Sequence, residues 1–314
     1  MIRRRVVLTV VGGGSFYTPS FIGTMCRYPE RFTGAEVRLV DPNTERTSLV
    51  KQFCELYTRA KSVPMAFRET PEIDRGLDGA DFVIVTFRIG GPAALLADMR
   101  IPPHFGYFGN ETVGPGGLFM AIRTVPAVLD VAERMRRLCP DAWLLNYANP
   151  TNFIADALRR TGHSRSLGLC DGYICPPRDI GATLGLDHRS IRTRHAGMNH
   201  CAWVTEARCG GRDLSAELAE ITDRRARANL LRCRTPEQVE RALRWLEIFR
   251  TMGRYPAPAG HAEAYFFHDE FLARQRERMV SGRHGRWTHD AGNWRRLKKQ
   301  VRNFVESEAE EVAR

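Results

Sequence analysis

A glycine turn, an acid at the end of an apolar run and a cysteine thirty residues before a histidine are the features here that can do chemistry. Gly12-Gly13-Gly14-Ser15 follows the apolar run RVVLTVV at 5–11. Glycines between a strand and a helix let the backbone come close to a pyrophosphate, which the helix N-terminus then stabilises. The G-x-G-x-x-G spacing is incomplete, because Tyr17 holds the third glycine position, and a purely structural tight turn would read the same way. Asp41 strengthens the nucleotide reading. It ends the run EVRLV at 36–40, where a carboxylate can accept the ribose hydroxyls of NAD and repel the extra phosphate of NADP. Gly12, Gly14, Ser15, Phe16 and Asp41 are the candidate NAD contacts. Further on, Cys170 follows the short run SLGL at 166–169, and His200 lies in GMNH. Thiolate and imidazole can be half of a divalent-metal site whose other positions substrate and water fill. By spacing alone, a buried cysteine and a hydrogen-bonded core histidine are the plainer reading.

The elements that must position these residues alternate. Runs at 5–11, 36–40, 81–87 (DFVIVTF), 142–147 (AWLLNY) and 166–169 read as buried strands. Helices are expected from about Pro19, over 43–61, over 118–138 with Pro126 as a kink, and over 151–160. This alternation predicts an α/β fold with a Rossmann-type, doubly wound parallel sheet. The stretch from RIGG through NETVGPGG reads as one long Gly/Pro-rich functional loop. After about residue 190 the pattern changes. HAGMNHCAWVTEARCGGRDL looks like two antiparallel strands joined at Cys209-Gly210-Gly211, and the remainder is mostly helical and charged. Residues 1–190 are therefore expected to form the NAD-binding domain and 191–314 a second, α+β substrate and metal domain.

Composition sets the class. Hydrophobic residues make up 43% and charged residues 26% of the 314, as in ordinary globular proteins. No run of about 18 apolar residues is present, so no membrane span is expected. The basic start MIRRR leads into a glycine turn and not a cleavage site, which reads as a first strand and a cytoplasmic protein. Eight scattered cysteines form no compact framework and are expected to be free thiols. The net charge of +11 comes mainly from arginine, and no nucleic-acid motif accompanies it. A solvated arginine-rich surface, or attraction of an anionic substrate or cofactor, accounts for the charge without a nucleic-acid partner.

Five motifs, GGGSFYTPSF, GNETVGPGGLF, NYANPTN, GLCDG and GMNHCAW, stand in the order and spacing of glycoside hydrolase family 4. The chain resembles that family over roughly residues 5–205. The resemblance implies an NAD- and Mn-dependent glycosidase with a fold related to lactate and malate dehydrogenases, outside the usual two-carboxylate chemistry. It implies that Cys170 and His200 are metal ligands, that Asp171 is the acid assisting the leaving group, and that Asn149 contacts substrate. It further implies that Glu111 supports the catalytic base, and that the protein is a homodimer or homotetramer. Around the expected base the chain reads YPAPAGHAEAYFFHDEF, which leaves His261 or Tyr265, with His261 in the better-matched position. Two departures bear on substrate and completeness. Leu95, followed by Asp98-Met99, stands where relatives commonly carry an Arg and then Asp-Glu, which removes a contact expected for a sugar 6-phosphate. Family members also usually continue well past the length seen here. The alternatives are an NAD-dependent sugar or hydroxy-acid dehydrogenase that releases NADH, and a truncated NAD-binding protein without activity.

Overall fold

The apolar runs become neighbouring strands because each can bury both faces only between layers of helix. The computed structural model describes residues 5–257, 261, 264, 267–280 and 295–303, with Asp171, Tyr173 and Arg278 by backbone alone. Within it the chain divides into two compact units: Met1–Ala97 with Leu118–Leu169 and Gly282–Arg314, and Asp98–Gly117 with Cys170–Ser281.

The first unit is built on β1 (Val7–Val11), β2 (Glu36–Val40), β3 (Ala66–Thr70), β4 (Phe82–Val85), β5 (Trp143–Asn146) and β6 (Ser166–Gly168). They form one parallel sheet in the order β3-β2-β1-β4-β5-β6. This is the order of a dinucleotide-binding Rossmann sheet. Strand alternation divides the core in two. Leu8 and Val10 of β1 pack with Val37, Leu39 and Ile84 against Ile22 of α1 (Tyr17–Met25) and Val50 and Phe53 of α3 (Thr44–Ala60). Val11 faces the other way, with Val83, Val85 and Leu144, against Val128 and Met135 of a long helix over Gly114–Leu138 and Ile154 and Leu158 of another over Thr151–Arg160. Asn43 starts α3 by accepting the Arg46 N–H at 3.0 Å on its side chain. The short helix α2 (Pro29–Phe32) lies between α1 and β2, and α4 (Ile73–Leu77) follows β3.

Two sequence expectations change here. β3 was not expected, because AFRET alternates only weakly and carries Arg68 and Glu69. It is an edge strand paired Val37 to Phe67, so only one of its sides is buried deeply. The loop expected from RIGG through NETVGPGG contains α5 (Gly91–Arg100) and a 3₁₀ turn at Pro102–Phe105. The segment PAALLADMR opens with proline in the first turn and continues in good helix formers, so the helix outweighs the glycine signal around it. The long helix over Gly114–Leu138 is α6 and that over Thr151–Arg160 is α7. α6 is long and apolar enough to cross a membrane by length and composition, and Val128, Val131, Ala132 and Met135 bury one side of it in the sheet core.

The second unit carries an antiparallel sheet of β7 (Ile191–Met198), β8 (Cys201–Cys209), β9 (Arg212–Asp213) and β10 (Tyr255–Ala257), ordered β10-β8-β7 with β9 beside β8. The hairpin is joined at Asn199-His200, with Met198 opposite Cys201. Cys209-Gly210-Gly211, the expected joint, does connect an antiparallel pair, β8 and the short β9. A glycine pair is the louder turn signal, and the earlier turn at Asn199-His200, ten residues before it, was not expected. Helices α8 (Cys175–Leu184), α9 (Ser215–Glu220), α10 (Asp223–Leu230) and α11 (Pro236–Met252) bury Ile180, Leu218, Leu230 and Leu246 with Val204, Leu214 and Tyr255. α11 begins with a capping box, Thr235 and Gln238 each bonding the other's backbone. A further helix, α12 (His268–Val280), fastens the segment before α6. The Gln275 amide accepts from Gly109 N–H at 2.8 Å and donates to the carbonyls of Gly109 and Met99 at 2.9 and 3.2 Å. Arg276 donates twice to the Pro103 carbonyl.

Candidate active site

In the first unit the sheet order reverses between β1 and β4, and the loops leaving these two strands diverge. That divergence is the crevice where open α/β sheets bind ligands. Gly12, Gly13 and Gly14 cross it. Gly12 has φ +91°, and a Cβ there would lie 2.8 Å from Phe87 N, while one at Gly13 would lie 2.7 Å from Leu39. The Gly12 and Gly13 N–H groups both donate to the Val40 carbonyl at 2.8 and 3.0 Å. Gly14 N–H donates to Asp41 Oδ2 at 3.1 Å, and Asn43 N–H donates to Asp41 Oδ1 at 2.8 Å. The glycines thus act by allowing close approach, since their own donors are already engaged. Ser15 Oγ accepts the Tyr17 N–H at 3.2 Å and lies 3.2 Å from the Thr86 hydroxyl. Phe16 occupies the N-cap position of α1. A glycine turn opening a helix at the switch point, with a fixed carboxylate at the end of β2, fits a dinucleotide. Asn149 lies in the turn between β5 and α7, where its Oδ1 accepts the Thr151 hydroxyl at 3.3 Å.

The second unit gathers the other candidates. Cys170 precedes a 3₁₀ turn, Asp171–Ile174, and its Sγ caps that turn by accepting Gly172 N–H at 3.3 Å. His200 occupies the tight turn of the β7–β8 hairpin with φ +64°, while Asn199 beside it keeps a negative φ. Left-handed backbone at the second central residue is what a type II turn demands, and glycine is the usual occupant. A histidine there carries strain of order 1–2 kcal/mol, and such strain gathers where a side chain is needed. His200 is buried at 7% exposure, and its Nε2 stands 3.7 Å from Cys170 Sγ. A sulfur at about 2.3 Å and a nitrogen at about 2.1 Å from one tetrahedral ion would lie about 3.6 Å apart. The spacing also fits an N–H···S contact, so the donor pair fits a divalent ion without requiring it. Among the described residues no group of three His, Cys, Asp or Glu side chains converges. The pair leaves further coordination positions open.

His261 joins this pair. Its ring meets that of His200 edge to face, with centroids 3.9 Å apart. Burial, reinforced by the neighbouring His200, pushes its pKa down to about 3, so the imidazole is neutral at physiological pH. Asn110 Nδ2 lies 2.7 Å from His261 Nδ1. Glu111, next in the chain, is buried. Asp171 is placed by its backbone directly after Cys170, and Tyr265 lies outside the described residues. Leu95, singled out in the sequence reading, is 6% exposed and packed inside.

The sequence reading missed Asn110 and Gln275. Asn110 sits in the quoted motif GNETVGPGGLF, but its partner is 151 residues away, and no local spacing announces such a contact. Gln275 lies on a helix whose charges read as a solvated face.

A family model described as "Family 4 glycosyl hydrolase" matches residues 7–185. Among curated proteins, 6-phospho-alpha-glucosidase 1 of Lacticaseibacillus paracasei is 32% identical over 220 residues, 69% of this chain and 50% of that protein. The alpha-galactosidase of Bacillus subtilis is 32% identical over 216 residues, 67% of this chain and 50% of that protein. The chain spans about half the length of the curated relatives it matches. A 6-phospho-alpha-glucosidase from gut microorganisms, solved in complex with NAD and Mn2+, superposes with a TM-score of 0.81 at 22% identity. That superposition covers 97% of this chain and 69% of the other.

Proposed function

This chain belongs to the family 4 glycosyl hydrolases, and we propose from that premise that it cleaves an O-glycosidic bond by a redox-neutral elimination. The observation that carries the reading is Cys170 Sγ standing 3.7 Å from His200 Nε2 in a hairpin turn whose backbone is strained to place that histidine. In the proposed reaction the C3 hydroxyl of the sugar is oxidised to a ketone, which acidifies the proton on C2. A base removes that proton, the aglycone departs from C1, water adds, and the ketone is reduced again. When bound, NAD would supply the hydride acceptor and donor, and a divalent ion such as Mn2+ would supply Lewis acidity toward the C2 and C3 oxygens.

The chain's own residues have the following parts. Gly12, Gly14, Ser15 and Phe16 shape the turn that receives the pyrophosphate, and Asp41 accepts the ribose hydroxyls. Cys170 and His200 hold the ion. Asn149 contacts the sugar, and Asp171 gives a proton to the departing oxygen. Glu111 supports the base, which the sequence reading placed at His261 or Tyr265. The reading also carries a cytoplasmic location and a homodimer or homotetramer, which light scattering on the purified protein measures.

The test is turnover in D₂O with NAD, Mn2+ and a reductant, over aryl glycosides of both anomers with and without a 6-phosphate. Elimination from a C3 ketone must break the C2–H bond, so deuterium is expected on C2 of the released sugar. Two-carboxylate hydrolysis leaves that bond intact. Released sugar without deuterium refutes the elimination, and net NADH formation would make the chain a dehydrogenase. The phosphorylated and unphosphorylated arms decide what the buried Leu95 means for the substrate.

A further inference from the structure

We infer that Asn110 is a positioning residue that fixes His261 as a neutral imidazole with its proton on Nε2, so that His261 donates a hydrogen bond to an oxygen held beside Cys170 and His200 and accepts no proton. The second half rests on the glycosidase reading, and the first half does not.

The argument starts at Thr112, whose backbone N–H donates to Asn110 Oδ1 at 2.8 Å. An amide oxygen can accept that bond and an amide nitrogen cannot, so the orientation of the Asn110 side chain is settled. Its NH₂ group therefore faces His261 Nδ1, at 2.7 Å. Asn110 is 7% exposed, so no water competes freely for this donor. A ring nitrogen that accepts a hydrogen bond carries no proton. A neutral imidazole has one donor and one acceptor nitrogen, and the proton must then be on Nε2. Turning the amide over would set its NH₂ against the Thr112 N–H, donor against donor, in a buried site where both bonds would be lost.

Both lone pairs that could matter are thus committed. Nδ1 is occupied by Asn110, and Nε2 carries hydrogen. In this form His261 can neither take the C2 proton nor ligate an ion, although its ring touches that of His200. What remains is a single directed N–H on a rigid, neutral ring next to the proposed ion ligands. A donor of this kind stabilises negative charge growing on an oxygen, as on C2 or C3 when the sugar enolises.

The test reads the proton directly. The protein is labelled with ¹⁵N-histidine, and a long-range ¹H–¹⁵N spectrum records which ring nitrogen of each histidine is protonated, with His261→Gln identifying the resonance. The Nε2–H form is expected for His261. In Asn110→Asp the carboxylate can only accept, so the proton should move to Nδ1. A wild-type Nδ1–H signal overturns the inference, and this holds even if the variant fails to fold. So does an Asn110→Asp variant that keeps its fold with the Nε2–H form unchanged. For the catalytic half, His261→Leu should lower kcat on the order of 10²-fold, as loss of one oxyanion donor does. His261→Gln, which retains an N–H donor, should recover part of that loss and still place solvent deuterium on C2. Loss of C2 labelling in His261→Gln with NAD reduction continuing would identify His261 as the proton acceptor and overturn the donor role. If wild-type protein itself gives no C2 label, the glycosidase reading fails while the tautomer result stands.

Discussion

Asp41 is held in place before any nucleotide arrives, because Gly14 and Asn43 each donate a backbone N–H to it. A 2′-phosphate would meet this fixed negative charge, and a like charge at 4 Å costs about 1 kcal/mol even in water. NAD should therefore bind more tightly than NADP, and Asp41→Asn should narrow the gap by on the order of fivefold. Calorimetric titration with both cofactors measures this, and equal wild-type affinities would remove Asp41 from the ribose site. His200 offers a second single-residue test. Both His200→Gly and His200→Ala delete the imidazole, but only glycine accepts φ +64° without strain. The glycine variant should be the more stable of the two by about 1 kcal/mol in chemical denaturation. The reverse order would mean that the turn is not left-handed. Asp41 could be proposed from its place at the end of the EVRLV run, whereas His200 could not be proposed from spacing alone. Cys170 and His200 stood out through neighbouring motifs, since thirty intervening residues carry no periodic signal, and the contact between Asn110 and His261 had no signal at all.

At the scale of elements, strands between two helical layers were easy to read because they are apolar on both faces. β3 was not, because an edge strand needs only one buried side. The turn between β7 and β8 was missed for a related reason: Asn199-His200 turns through a histidine that a left-handed turn position disfavours, so the residues there carry only a weak turn signal. β2 carries a testable electrostatic feature at its start. Glu36 is buried at 7% exposure and receives Arg38 at 2.8 Å, with Arg5 and Arg68 each at 3.4 Å. The hydrogen bond from Arg38, with the charges of Arg38, Arg68 and Arg5, holds its carboxyl below the ordinary carboxylate range. A lowered folded-state pKa means that the ionised form contributes stability above the unfolded value of about 4.3, and that this is lost as pH falls through the folded value. Glu36→Gln should be less stable than wild type at pH 7, and the difference should shrink below about pH 4. A difference independent of pH would assign the effect to packing. For α11, Thr235→Ala removes the capping box and should cost about 1 kcal/mol, read as a lower denaturation midpoint at unchanged slope.

For the whole molecule, the two units predict separable ligand responses. NAD at a hundred times its Kd should stabilise the protein by about 2.7 kcal/mol, and Mn2+ should add its own increment. Cys170→Ser and His200→Ala should abolish the Mn2+ increment in a thermal melt while keeping that of NAD, since Gly12 and Asp41 lie in the other unit. Loss of both increments in either variant would mean that the sites are not independent. The division into units was partly hidden from the sequence for a topological reason. The second unit takes in Asp98–Gly117 from the middle of the first and begins again at Cys170, whereas the sequence read from end to end shows one change of pattern, near residue 190.

Gln275 makes three hydrogen bonds to Met99 and Gly109, and that arrangement has a consequence for the ageing of the protein. Hydrolysis of one side-chain amide, the slow covalent damage that glutamine undergoes in storage, would turn it into a glutamate. The oxygen facing the Gly109 N–H would survive the change, but both hydrogens now given to the carbonyls would vanish. Two carbonyl oxygens would then face a carboxylate, in a segment that leads directly into Asn110 and Glu111. The shelf life of activity would be governed by a residue that touches no ligand, and intact mass spectrometry would show it as a gain of about one dalton that tracks the loss of turnover. Gln275→Glu made directly should reproduce the aged state in fresh protein.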